Sequence, residues 1–343
     1  TSGVVTLAST INSSNDVISF GAVTLGANTT IDTNASSTTG DLTLGVVTGG
    51  SNTLTLSTGN NVANSDITAS GNISGVTTLT LSDVGGTATL SGDVDVTTFT
   101  VGNTVANVAF TGNGSSVANS FTPDNDGTFI FGTSGGTQTY NGGLNTASVD
   151  GTVTLNGTIA SSDDAVVLGA VTLGSATTID TNSTTTNRAD ITLGAVTGGS
   201  NALTLTTENN VTGSDVTTSG NISGVTTLTL ASVGGTATLS ADVDVTTLTV
   251  GNTVANVAFT GNGSSVANAV SFANDGTLIL GASGGTQTYN GGLTTTSVGS
   301  TVTLNGTLAT SDDAVVLGAV TLASATTIDT NSTTTNRADI TLA

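Results

Sequence analysis

The chain has no cysteine, histidine, methionine, tryptophan or lysine, and only one glutamate (Glu208), one proline (Pro123) and two arginines (Arg188 and Arg337). Each shortage removes something. A nucleophilic serine or threonine needs a base beside it, usually histidine or lysine, and neither exists here. The lack of cysteine is compatible with an oxidising exterior. Two basic residues against 23 acidic ones give a net charge of −21. Phosphate recognition needs lysine and arginine, so nucleic acid is excluded as a partner and an anionic membrane surface fits no better. Cations, divalent ones included, are the natural small partners. Aromatics make up 3% of the chain, too few for the girdles of a transmembrane barrel. No stretch approaches 18 consecutive apolar residues, so no membrane-spanning helix is expected. Residues 1–20 lack the basic start and long apolar run of a signal peptide.

What remains is mainly Thr, Gly, Asn, Ser, Val, Leu, Ala and Asp. Charged residues are 7% of the chain, against roughly a quarter in an ordinary domain, yet the mean hydropathy of +0.26 is too high for a disordered segment. Good helix formers are nearly missing, while Val and Thr favour strands and Gly and Asn supply turns. The class is all-β.

Internal repeats set the organisation. Asn-Ile-Ser-Gly-Val-Thr-Thr-Leu-Thr-Leu begins at Asn72 and, 149 positions on, at Asn221; Gly-Gly-Thr-Gln-Thr-Tyr begins at Gly135 and Gly284. Gly-Ala-Val-Thr-Leu occurs at Gly21, Gly169 and Gly318, and the one-residue slip in spacing falls between Asn34 and Asp41. The chain therefore divides into a first copy (1–148), a second (149–297) and the start of a third (298–343), read as one continuous solenoid from a longer array.

A shorter period lies inside the long one. Apolar pairs in strand spacing recur at Leu79/Leu81, Phe99/Val101, Phe129/Phe131, Val153/Leu155 and Ile191/Leu193. Intervals of about 18–22 residues suit one rung of a parallel β-helix, and seven or eight rungs would fill a copy. In Asp93-Val94-Asp95-Val96-Thr97-Thr98-Phe99-Thr100-Val101 the apolar phase slips by one at Thr97-Thr98. Such a slip flips the faces of a strand, and a corner between two short strands absorbs it. Between copies, Phe99 becomes Leu248, Phe129 becomes Leu278, Phe131 becomes Leu280 and Ile67 becomes Val216, apolar exchanges expected of an inward face. One rung buries too few side chains to offset its own ordering entropy. Stacked rungs share hydrogen bonds and a continuous core, so stability grows with their number.

Few residues suggest chemistry. The adjacent carboxylates Asp163-Asp164 and Asp312-Asp313 could in principle serve hydrolysis, but the aromatic and basic groups that would hold a sugar are nearly absent; no catalytic residue and no enzyme activity is expected. Asp93 and Asp95, their copies Asp242 and Asp244, and Asp124 and Asp126 in Asp124-Asn125-Asp126-Gly127 are candidates for a weak calcium site, because hard cations collect carboxylate and carbonyl oxygens. The second copy of that loop reads Ala273-Asn274-Asp275-Gly276 and loses one ligand; the expected cofactor is none, with Ca2+ the sole candidate. Arg188 and Arg337 stand where they would pair with Asp190 and Asp339. Tyr140 and Tyr289 suit packing at a rung edge better than stacking on a sugar. Thr-x-Thr pairs at Thr78/Thr80 and Thr87/Thr89 would form a flat, crystal-matching surface. Asn-x-Ser/Thr sequons, as at Asn72, Asn156, Asn221 and Asn305, would be decorated in a compartment that glycosylates.

The runs Val-Thr-Thr-Leu-Thr-Leu, Gly-Gly-Thr-Gln-Thr-Tyr-Asn-Gly-Gly-Leu and Gly-Thr-Val-Thr-Leu-Asn-Gly-Thr resemble the β-strand-repeat regions of large bacterial surface proteins, in the style of filamentous-haemagglutinin-type adhesins and autotransporter passengers. The resemblance implies a right-handed parallel β-helix displayed outside a bacterial cell, and it carries over no functional residue. The expected function is a structural, fibre-forming repeat of a cell surface or matrix, with self-association as its partner. A stalk presenting a separate adhesive tip is the alternative. An ice- or crystal-binding solenoid and a polysaccharide-acting enzyme are more remote.

Overall fold

The structure, a computed structural model, describes residues 3–182, 187–208, 210–331 and 338–343. Among them there is no helix, and all recorded strand pairings are parallel, the pattern of a β-solenoid with about 16 turns. The chain forms two compact units, Thr1–Ser162 and Asp163–Ala343.

In the first unit the strands stack in three columns. The first column climbs through the outward residues Thr6, Thr24, Thr48, Ser74, Asp95, Ser116, Thr139 and Ala160, each paired with the next. A second runs from Thr10–Asn12 through Thr29–Asp32 and Leu54–Ser57 to Leu79–Leu81 and Phe99–Val101. The third carries Ser19, Thr43, Thr68, Thr89, Ala109, Ile130 and Thr154 outward. The second unit repeats the plan. One of its ladders joins Thr172, Thr197, Ser223, Asp244, Ser265, Thr288, Ala309 and Asp329. Another joins Val167, Thr192, Thr217, Thr238, Ala258, Ile279, Thr303 and Thr321.

Alternation explains the core. In Val94–Val101 the residues Val94, Val96, Phe99 and Val101 are buried, and the phase changes at Thr97-Thr98, where the strand passes from the first column to the second. The apolar exchanges between copies all fall inside: Phe99 and Leu248 are 3% and 4% exposed, and Phe129, Phe131, Leu278, Leu280, Ile67 and Val216 are fully buried.

The rungs are less even than expected. One short turn carries Val5 to its partner Val23, whereas a much longer one carries Val47 to Ile73. The longer turns carry loops at the corners. They reduce the number of rungs per copy below the expected seven or eight.

Candidate functional site

The corners hold most of the outward-facing acids, and their geometry is one of stapling. The side chain of a corner Asp or Asn accepts the backbone N–H of the next rung. Asp93 N–H donates to Asn72 Oδ1 at 3.0 Å, and Gly114 N–H donates to Asp93 Oδ1 at 2.8 Å. Its copy repeats the chain of bonds through Asn221, Asp242 and Gly263. A second such ladder joins Asp41, Asp66 and Thr87, with its copy in Asp190, Asp215 and Thr236. Asn107 and Asn256 do the same for Thr128 and Thr277. A β-carbon on Gly86 would lie 2.1 Å from Asp66 Oδ1, so the glycine is what lets the carboxylate reach the next rung. Hydrogen bonds to a charged acceptor contribute about 1.5–3 kcal/mol each where buried, and less at an exposed corner.

Asp95 lies two residues along from Asp93, outside the core and mostly exposed. Partial burial raises its carboxyl above 3.8, the Asp93 charge adds to the rise, and a hydrogen bond from the Ser116 backbone opposes it. It borders an open groove of about 280 Å³ with Ser51, Gly75, Thr77 and Ser116. The matching groove of the second copy, about 410 Å³, lies beside Asp244, Ser200, Gly224 and Ser265.

Of the candidate calcium ligands, Asp93 and Asp95 flank Val94 as one pair, and Asp242 and Asp244 flank Val243 as another. Asp124 and Asp126 are exposed on either side of Asn125. Asn125 is turned inward and fully buried, where its Nδ2 donates to Gly127 O and Thr128 O at 2.9 and 3.1 Å. It therefore cannot join its two neighbours around an outward ion. Its Oδ1 and that of Asn274 have no partner among the described residues. Also among the described residues, no group of three or more His, Cys, Asp or Glu gathers to hold a metal.

The remaining candidates separate as follows. The first members of the carboxylate pairs, Asp163 and Asp312, take positive φ of 63° and 61°, a turn conformation in the loops before Val166–Leu168 and Val315–Leu317. Arg188 reaches Asp190 at 3.5 Å, as expected, but lies closer to Asp215 of the next rung, at 2.9 Å. Arg337 lies outside the described residues. Tyr140 and Tyr289 are at most 1% exposed, which removes them as sugar platforms. Each donates its hydroxyl to a buried glutamine, Gln138 or Gln287, at 2.9 Å. Each glutamine in turn donates to two backbone carbonyls, that of a strand's last residue and that of the corner beyond it: Phe110 and Gly112 in the first unit, Phe259 and Gly261 in the second. Burial pushes both phenols well up. Thr78 and Thr80 stack on Thr98 and Thr100, but Thr87 and Thr89 meet Asn107 and Ala109, so the second array ends after one rung.

The rung-joining role of the corner residues and the inward glutamines are what the sequence did not show: Asn72, Asp93, Asp190, Asn221 and Asp242 stood out there for other reasons, and Gln138 and Gln287 not at all. Gln138 shares the alternation phase of Tyr140 in Thr-Gln-Thr-Tyr, the one signal that turns it inward. The staples show only once the rung neighbours are known.

By its fold this is a parallel β-solenoid. Comparison with protein-family models, curated proteins and solved structures finds no match.

Proposed function

We propose that the chain is a non-enzymatic, extracellular structural repeat that forms a fibre at a bacterial cell surface or in its matrix. The observation that carries this reading is the use made of the polar groups. Asn72 and Asp93, Asp41 and Asp66, and Asn107 are spent on joining rung to rung, in the same way in both copies, and the buried Gln–Tyr pairs tie strands inside the coil. A molecule whose polar residues serve its own stacking suits a load-bearing element. The acidic surface keeps such elements apart until cations screen it.

The test is electron microscopy of the native surface, together with diffraction from aligned material. Filaments longer than one chain, with a ~4.8 Å axial repeat, support the fibre. Short projections of fixed length, anchored at one end and carrying a distinct knob, overturn it in favour of the stalk. The crystal-binding alternative is the less favoured one, because its Thr-x-Thr array is interrupted within a few rungs.

A further inference from the structure

The sequence repeat and the turn of the coil do not share a common period. In the first unit, Thr6 of the first copy and Thr154 of the second occupy the same place in their repeats. Seven rungs up its column, Thr6 arrives at Ala160. Thr154 stands in the third column instead, six rungs above Ser19. Ser19 itself lies two columns after Thr6 within one turn. The second unit gives the same count independently. Thr172 climbs seven rungs to Asp329, while its equivalent in the third copy, Thr321, lies six rungs above Thr192, two columns away. One copy thus closes six full turns and two-thirds of the next.

We propose that each copy is turned by one third of a revolution from the copy before it, so that consecutive copies carry the same outward residues on successive faces of the coil. Face-for-face identity then returns only with every third copy, after 20 turns. The three columns tolerate this because the inward positions of all three accept the same Val, Leu and Ile side chains.

The consequence is a rule about partners. Two copies of one outward position, such as Thr6 and Thr154 within the first unit, cannot both meet a single flat lattice. Avidity on a plane is lost, because simultaneous engagement is geometrically barred. Partners distributed around the coil, above all neighbouring coils of the same kind, can be engaged on three sides. The register alone carries this inference, which holds for a stalk as well as for a fibre.

The absence of native cysteine makes the test direct. Thr6→Cys and Thr154→Cys in one variant, and Thr172→Cys and Thr321→Cys in a second, each pair the same repeat position in two copies within one unit, are introduced into the full chain, biotinylated and bound to streptavidin. Electron cryomicroscopy should show the two tags of each variant pointing about 120° apart; tags aligned along one side overturn the proposal. Spin-label distances in the chain without the bulky tag provide the second measurement. The same-face pair Thr6→Cys/Ala160→Cys should read near ~34 Å, from seven rungs of ~4.8 Å. The pair Thr6→Cys/Thr154→Cys, though fewer rungs apart, should read several ångströms longer. A reading equal to or shorter than the same-face pair refutes the rotation.

Discussion

Residues 99–140 in the first copy and 248–289 in the second follow the same plan of strands and corners around different interiors. The first is filled by rings. Phe121 stacks on Phe99 at 4.8 Å and on Tyr140 at 5.7 Å, and it meets Phe129 and Phe131 edge-on. In the second copy Phe99, Phe129 and Phe131 are leucines, Phe121 is Val270, and the buried Pro123 is replaced by the buried Phe272. Among the described residues one ring contact is found there, Phe259 with Tyr289 at 6.3 Å, a pairing the first copy does not make between Phe110 and Tyr140. The polar interior did not drift in the same way: Gln138 and Tyr140 keep their identities and all their bonds as Gln287 and Tyr289. Apolar positions need only suitable volume and are exchangeable. A buried amide with fixed partners is not, because losing it strands each partner.

The largest test of this contrast is Phe121→Ala against Val270→Ala. The first leaves a cavity beneath four rings and should cost about 3–5 kcal/mol. The second removes two methyl groups and should cost about 2 kcal/mol. Hydrogen exchange of the flanking strands reads each locally, which suits a solenoid better than a single global transition. Equal losses at the two sites would show that the rings around Phe121 close over the gap and that the cluster contributes less than its buried area.

Next in size are Gln138→Leu and Gln287→Leu. Each leaves two backbone carbonyls and a tyrosine hydroxyl without their partner, at about 1–3 kcal/mol. Here the two copies should respond alike. A cost in one copy only would mean that the polar interior depends on the rings around it.

The contrast also shows which features could be read from the residues. The fold class, the inward face and the corner at Thr97-Thr98 follow from alternation, a local signal that survives any turn length. The rung count does not, because it depends on where loops are inserted. The short rung from Val5 to Val23 and the long one from Val47 to Ile73 look equally regular in the apolar pattern. The one-third rotation was hidden for the same reason. Asp93 and Asp242 suggested a cation site because an acid beside another acid has that meaning when neighbours in space are unknown. Once Gly114 and Gly263 lie above them, one oxygen of each is committed to a backbone N–H.

Converting one interior toward the other should have a smaller effect. Phe131→Leu, which writes the second copy's residue into the first, should cost about 1 kcal/mol, within the range of tolerated apolar swaps. The reverse change, Leu280→Phe, inserts volume at a fully buried position and should cost as much or more. Denaturation midpoints of both variants decide the matter. If Leu280→Phe stabilises, the second interior is underpacked and the exchange between copies was not neutral.

The smallest expected effect lies on the surface, at Asp95, where packing gives way to charge. Its carboxyl is raised in the folded chain, first by partial burial and then by Asp93. An acid raised on folding binds its proton more tightly in the native state, so its contribution is fully present below the unfolded value and is lost as pH rises through the folded one. The relevant window therefore opens at 3.8 and extends upward. Asp95→Asn keeps an acceptor for the Ser116 backbone and removes the charge. It should leave stability unchanged below this window and raise it slightly above, an increment kept small by solvent screening at a mostly exposed site. Melting temperatures of the two proteins across the window test this. A variant less stable at neutral pH would mean that the Ser116 bond outweighs the repulsion from Asp93, and that Asp95 belongs with the corner staples.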